Sequence, residues 1–405
     1  MIEFRLLMTT QTLSWEAAQR LKQLPPYLFA EVDRKKRELI AKGKDVIDLG
    51  VGDPDIPTPQ FIIDALKQAS QDPANHRYAL DAGMPAFRQS ITTWFKKRFG
   101  VELSPEKEVL PLIGSKEGIG HFPLAVLNPG EVSLIPDPGY PPYRSGTLFA
   151  GGIPYYMPLL AENNFLPDLS AIPAEVLKKA KILYLNYPNN PTSATATKEF
   201  FKEAIAFAHK HRLIIAQDAA YCEVGFDGYK APSILELEGA KEVSIEFHSL
   251  SKTFNMTGWR VGFAAGNAEL VALLGKVKSN LDSGIFQAIQ VAAKTALDHG
   301  QAEFEANLKI YQHRRDLLVQ GMNRIGWDVK APKATFYCWI PVPSGYTSAE
   351  LALKFLEEMS LIVTPGNGFG PNGEGYFRIS LTVPDQRIEE AVERIRKSHK
   401  HPHKV

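Results

Sequence analysis

The sequence predicts an α/β fold, with a mainly parallel sheet in a larger unit and a smaller α+β unit beside it. Three observations lead there. Short apolar runs alternate with amphipathic stretches through the middle of the chain, as strands linked by crossover helices do. The C-terminal third differs, with one or two strand-like runs flanked by helical patterns. The chain also has 405 residues, long for one domain, so two are expected.

Gly114-Ser115-Lys116 opens a helical pattern over Glu117–Leu127. Lys181–Tyr187 (KILYLNY) reads as a strand. Over Glu199–His209, Phe200, Phe201, Ala204, Ile205 and Ala208 fall on one helix face. Arg212–Ala216 (RLIIA) and Val243–His248 (VSIEFH) are again strand-like. Thr347-Ser348-Ala349-Glu350 is a capping box for a helix bearing Leu351, Leu353, Phe355 and Leu356. The glycine-rich Gly366–Gly375 is a loop leading into a strand at Tyr376–Leu381 (YFRISL). Asp385 can cap a last helix carrying Ile388, Ala391, Val392 and Ile395. The tail His399–Val405 is polar, and its histidines read as solvated rather than metal-binding.

Composition narrows the function classes. Lys and Arg total 46 against 45 Asp and Glu, without the basic excess of a nucleic-acid binder. No apolar run reaches the roughly 18 residues of a transmembrane helix. The first residues do not resemble a signal peptide, and Met8 is an alternative start. Cys222 and Cys338 cannot form a disulfide scaffold, so a reduced, cytoplasmic setting is expected. No metal is called for.

Chemistry gathers after the three middle strands. The first is followed by Asn189-Asn190-Pro191-Thr192, the second by Asp218-Ala219-Ala220-Tyr221, and the third by Ser249-Leu250-Ser251-Lys252 and then Arg260. In parallel sheets, ligands bind beyond the carboxyl ends of the strands. That rule collects an amide, a carboxylate, a phenol, an amine, hydroxyls and a guanidinium at one rim. Lysine is the Schiff-base residue, hydroxyls and arginine suit a phosphate, and a buried aspartate needs a cationic partner. Pyridoxal phosphate, with its aldehyde, phosphate, phenolic oxygen and pyridine nitrogen, matches that set group by group. Singly, each residue has an ordinary reading, as surface lysine, turn cap or turn; their joint order carries the inference.

Ser249–Gly262 (SLSKTFNMTGWRVG) resembles the lysine signature of class I/II, fold-type I aminotransferases. Further landmarks occur in family order: Asp48–Asp53 (DLGVGD), Tyr78–Gly83 (YALDAG), Gly114–Lys116, Asp137–Tyr140 (DPGY), Asn189–Thr192, Asp218–Tyr221 and Arg378. The resemblance implies a seven-stranded, mainly parallel sheet in a large domain near residues 55–295. Residues 1–54 and 296–405 would form a discontinuous small domain. It implies that Lys252 forms the Schiff base with pyridoxal phosphate and shuttles the proton, and that Asp218 holds the pyridine nitrogen protonated. Asn190 and Tyr221 would bond the phenolic oxygen, and Tyr140 would stack on the ring. Ser115, Lys116, Ser249 and Arg260 would bind the phosphate, with Ser251 a further candidate. Tyr78 would reach the phosphate of a neighbouring subunit, giving a homodimer with shared sites. Arg378 would pair with the substrate carboxylate, and Gly52 would leave room for substrate. Where family members often have Gly after Asn-Pro-Thr, this chain has Ser193, a change in a turn.

Pro26–Glu31 (PYLFAE), Gly114–His121, His248–Gly258 and Ser279–Gln290 are similar to the LL-diaminopimelate aminotransferases of that family. This implies amino transfer with glutamate as donor and a 2-oxo acid or its cyclic form as acceptor, in lysine biosynthesis. Tyr27 would contact substrate, and Asn280 and Asp282 would act across the dimer. Aminotransferases for alanine, aspartate or aromatic amino acids, and a lyase on the same fold, are the alternatives. The short stretch before Tyr27 is too small for the winged helix of a regulator. Pro371 spoils the one glycine-rich stretch as a dinucleotide fingerprint.

Overall fold

The computed structural model describes residues 15–24, 28–79 and 82–398. Tyr27, the alternative start Met8 and the histidine-bearing tail lie outside the described residues. In chain order the strands are β1 Ile47–Asp48, β2 Val109–Leu112, β3 Val132–Asp137, β4 Ile153–Pro158, β5 Ala180–Asn186 and β6 Ile214–Asp218. They continue with β7 Ser244–Ser249, β8 Gly262–Gly266, β9 Tyr337–Pro341, β10 Leu361–Ile362, β11 Thr364–Pro365 and β12 Tyr376–Ser380.

A seven-stranded sheet runs in the order β2-β8-β7-β6-β5-β3-β4. All neighbours are parallel except at β8, which is antiparallel to both β2 and β7. The interior strands β3, β5 and β7 are buried on both faces, as strands of a covered parallel sheet are, while the edge strand β4 is partly exposed. From β5, Leu183 and Leu185 pack with Phe201, Ala204 and Ala208 of the helix Lys198–His211. From the same strand, Ile182 and Tyr184 point to the other face, with Ile119 and Phe122 of the helix Ser115–Val126. This two-residue alternation against helices on both sides is the expected doubly covered sheet.

The boundaries move by a few residues for identifiable reasons. Arg212, expected in a strand, adopts a left-handed conformation (φ 56°) and terminates the preceding helix. Val243, also expected in a strand, ends the short helix Ala240–Val243.

A third core gathers Ile47 and Leu49 with Phe336, Ile340, Phe355, Phe377, Ile379, Ile388 and Ile395. Here β11, β12 and β9 form an antiparallel sheet, while β1 pairs in parallel with β10. The N-terminal segment is therefore stitched to C-terminal residues, Ile47 opposite Leu361. The capping box at Thr347 is formed: its hydroxyl accepts from the Glu350 amide, and the Glu350 carboxylate accepts from the Thr347 amide. Asp385 opens the final helix Asp385–Ser398 but does not serve as the expected cap. Its carboxylate is occupied 3.0 Å from Arg314 Nε.

Candidate active site

The carboxyl ends of β5, β6 and β7 meet at a cavity of about 350 Å³. Ten of the sequence candidates line it: Gly52, Ser115, Lys116, Tyr140, Asn190, Asp218, Tyr221, Ser249, Lys252 and Arg378. The loops that bring them there are fixed by buried amides. Asn186, at the end of β5, donates from Nδ2 to the Asp218 carbonyl (2.8 Å) and accepts at Oδ1 from the Asn190 amide (2.8 Å). Asn189 Oδ1 accepts from both the amide and the hydroxyl of Thr192. Buried polar groups so satisfied define one conformation, because breaking any one would strand a donor away from water.

Asp218 ends β6 and is 4% exposed. Its carboxylate accepts from the Tyr143 hydroxyl (2.8 Å) and the Ala220 amide (3.2 Å), a phenol and a peptide rather than a cation. Burial raises its pKa to about 6, against the pull of those two donors. Lys252 lies in the short helix Leu250–Thr253 directly after β7. Its Nζ donates to the Gly52 carbonyl at 3.0 Å, and burial lowers its pKa to about 8 although Asp53 opposes the shift. Both groups are held toward their neutral forms, as expected of an acid and an amine awaiting a partner.

Arg378, in β12, is 3% exposed. Nη1 donates to Asn190 Oδ1 and Nη2 to the Gly50 carbonyl, both at 2.7 Å. The guanidinium carbon lies 4.0 Å from the centroid of the Tyr337 ring and 4.7 Å from that of Phe369. Nε is buried and unpaired among the described residues. A planar, rigidly held fork of this kind is suited to a carboxylate.

Ser115 and Lys116, which line the cavity, begin the helix Ser115–Val126, and a helix start offers unpaired amides to an anion. Gly114 precedes it in a left-handed conformation (φ 76°), and a Cβ there would lie 2.4 Å from Arg260 Nη2. Only glycine lets the guanidinium lie against this helix start. Arg260 borders the adjoining cleft with Lys116 and donates to the Thr257 carbonyl. Ser251 turns away, its hydroxyl toward the Met256 carbonyl.

Tyr78 is not brought to the cavity. It is 89% exposed and lines a separate open hollow with Arg77, Ser283, Gly284 and Phe286. Asn280 bonds the Lys276 carbonyl, and Asp282 bonds Lys278 and the Gly284 amide. Glu117, His121 and Asp282 could offer a metal three ligand atoms within 4.8 Å of one another, but the Lys278 ammonium already sits between the two carboxylates.

Two neighbours escaped the sequence reading. Tyr143, which bonds Asp218, stands one helical turn after Tyr140 on the helix Pro141–Phe149, so the spacing could have indicated it. Tyr337 lies 2.9 Å, hydroxyl to hydroxyl, from Tyr221, 116 residues away in sequence. It also changes the reason for Gly52. A Cβ on Gly52 would fall 1.8 Å from the Tyr337 hydroxyl, so the glycine makes room for this ring.

The site meets the needs of pyridoxal phosphate on its own evidence. The Asp218 carboxylate has no bonded cation among the described residues, the Lys252 amine is held toward neutrality, and a helix start bearing Ser115 and Lys116 lines the same cavity, with Arg260 in the adjoining cleft.

Comparison with known proteins agrees with this geometry. Residues 44–395 match the family model for class I and II aminotransferases. The chain is 56% identical over 385 residues to an LL-diaminopimelate aminotransferase of Syntrophobacter fumaroxidans, covering 95% of this chain and 99% of the relative. It is also 56% identical, over 382 residues, to an LL-diaminopimelate aminotransferase of Aquifex aeolicus, covering 94% and 99%. Among solved structures, substrate-bound BacF of Bacillus subtilis superposes with a TM-score of 0.91 at 39% identity, covering 95% and 98%. With a family match over most of its length and relatives above half identity, this chain belongs to the class I and II aminotransferases.

Proposed function

We propose that this aminotransferase uses pyridoxal phosphate and exchanges an amino group between LL-2,6-diaminopimelate and 2-oxoglutarate. Lysine biosynthesis in the cytoplasm is the setting that goes with it. The observation that carries the chemistry is the meeting of Lys252, Asp218 and Arg378 in one cavity, Asp218 and Arg378 buried and Lys252 part-buried, none of them in an ion pair among the described residues. The substrate reading is supported by chain-long identity to relatives named for that substrate.

When bound, pyridoxal phosphate supplies an aldehyde for the lysine and a cationic ring that withdraws electrons from the substrate α-carbon. The residues of this chain do the rest. Asp218 keeps the ring nitrogen protonated, itself steadied by Tyr143. Ser115, Lys116, Ser249 and Arg260 hold the phosphate. Asn190 and Tyr221 bond the phenolic oxygen, and Tyr140 covers the ring. Arg378 orients the α-carboxylate. Lys252, once its amine is free, moves the proton at the α-carbon. With an amine pKa near 8 it can take up a proton near neutral pH and also give it back. The two substrates use the same groups in turn, which predicts ping-pong kinetics.

Within this proposal the large domain spans 55–295, and residues 1–54 with 296–405 form the small one, an arrangement supported by the pairing of β1 with β10. Tyr78 serves the site of a second copy in a homodimer. Tyr27 contacts substrate, and Asn280 and Asp282 make contacts across the dimer.

The test is spectral. Purified, cofactor-loaded protein is mixed with single amino acids while the absorbance of the lysine-linked cofactor is followed. Conversion by LL-diaminopimelate and glutamate, but not by alanine or aspartate, is expected; the opposite pattern removes the substrate assignment.

A further inference from the structure

We propose that Tyr337 is a positioning residue of this site, donating its phenolic proton to Tyr221 and supporting the plane of Arg378. The inference rests on the cofactor reading above and extends it to a residue that the sequence motifs do not mark.

Tyr337 begins β9 and is 3% exposed. Its hydroxyl lies 2.9 Å from that of Tyr221, its ring lies under the Arg378 guanidinium, and its hydroxyl fills the space beside Gly52. Gly52 in turn accepts the Lys252 ammonium at its carbonyl. One side chain therefore touches the phenol, the guanidinium and the peptide that holds the lysine.

The backbone beneath Tyr337 is held at a cost. Ser193 and Thr335 are both left-handed, at φ 60° and 66°, a conformation rare for any residue with a side chain and rarest for a β-branched one. Their hydroxyls meet at 2.8 Å. The Ser193 hydroxyl lies 2.7 Å from the Tyr337 carbonyl, and the Tyr337 amide donates to the Thr335 hydroxyl at 3.1 Å. Strain persists where the surroundings over-determine a conformation, and here they determine where the Tyr337 ring stands.

The direction of the phenol pair follows from proton counting. Each hydroxyl has one proton. If Tyr221 gives its proton to Tyr337, it has none for a ligand oxygen. If Tyr337 gives, the Tyr221 proton is free for an acceptor in the cavity. Arg378 lies against the Tyr337 ring and acts on the Tyr221 phenol too, so the direction is set by the acceptor that the cavity offers to Tyr221. The charged and titratable groups facing the pair are Arg378 from β12 and Tyr140, with Lys252 lining the same cavity. A donor that itself receives a hydrogen bond donates more strongly, so Tyr337 strengthens the bond from Tyr221 to the phenolic oxygen of the cofactor. That bond stabilises the phenolate, and with it the deprotonated form of the lysine-linked cofactor.

The experiment uses cofactor-loaded protein. Tyr337→Phe keeps the ring and removes the proton. The pH midpoint of the cofactor absorbance change should rise by about 0.5–1 pH unit, from one lost hydrogen bond. Binding of glutarate, a carboxylate with no amino group to react, should stay within about twofold, because the ring still supports Arg378. Tyr337→Leu removes both, and should raise the midpoint and also weaken glutarate about tenfold. An unmoved midpoint in Tyr337→Phe, in protein where Tyr221→Phe does move it, overturns the proton assignment. Unchanged glutarate binding in Tyr337→Leu overturns the support of Arg378. Persistence of the absorbance band in Lys252→Ala would instead sink the cofactor reading itself, whatever Tyr337 does.

Discussion

Asp218→Asn should make the cofactor-free protein more stable at pH 8, at the very position the proposed chemistry needs charged. The Asp218 pKa lies at about 6 in the fold against an ordinary 3.8. At roughly 1.4 kcal/mol per pH unit, keeping the carboxylate ionised in the fold costs about 3 kcal/mol. The folded pKa is raised, so the penalty is full above about pH 6 and fades as pH falls toward 4, where the unfolded chain is protonated too. Asparagine carries no charge and can still accept from Tyr143, but it disturbs the bond from the Ala220 amide, at a cost of about 1 kcal/mol. The net gain is about 1–2 kcal/mol at pH 8, shrinking markedly by pH 5. Urea unfolding of the cofactor-free protein at fixed protein concentration, at pH 8, 6.5 and 5, measures it. In the cofactor-loaded protein the order should reverse, because the carboxylate there gains the ring cation. A variant less stable than the parent at pH 8, or a difference flat from pH 5 to 8, refutes the reasoning that Asp218 is a buried charge awaiting its partner.

Arg378→Lys replaces a fork bonded to Asn190 and Gly50 by a point charge, so kcat/KM should fall about 100-fold, mostly through KM; steady-state kinetics showing a loss below tenfold would contradict the carboxylate role. If Tyr78 completes the site of a partner, Lys252→Ala and Tyr78→Ala chains should each be impaired, and co-expressed mixtures should recover activity, because one site of each mixed dimer carries neither change. Activity of the mixture no higher than that of the parents would show that the sites are not shared. Ser193→Gly relieves a left-handed residue by about 1 kcal/mol but removes hydroxyl contacts with Thr335 and the Tyr337 carbonyl, so a net destabilisation of about 1 kcal/mol is expected in thermal unfolding. A stabilised variant would mean that the glycine more common in the family is simply better.

The departure at Ser193 shows how far a sequence can be read. As a sequence feature it is a turn residue differing from its family. In the fold its hydroxyl reaches Thr335, 142 residues away, and the backbone of Tyr337. Asn190, Asp218, Tyr221, Ser249 and Lys252 could be placed together because they sit within a few residues of strand ends that a periodicity argument can locate, and the structure brings all five to one cavity. Tyr143 was one helical turn from a residue already singled out and was still passed over, since nothing in the chain says which face of that helix meets Asp218. Asp385 looked like a cap, yet its carboxylate is spent on Arg314, and only the packing of one helix on another decides such competition.

By itself the sequence determined the parallel sheet and the rim at which the candidate lysine and aspartate gather. These follow from local pattern, because strand burial, helix periodicity and strand-end loops are each encoded within a dozen residues. The tertiary structure decided the electrostatic state of the site. Asp218 and Lys252 are displaced toward neutrality by burial, which depends on the packed fold. It also decided that Gly52 yields its space to Tyr337, and that Asn190, Gly50 and two aromatic rings brace Arg378. Desolvation and steric exclusion depend on every atom within reach, and that set of atoms exists only once distant segments have met.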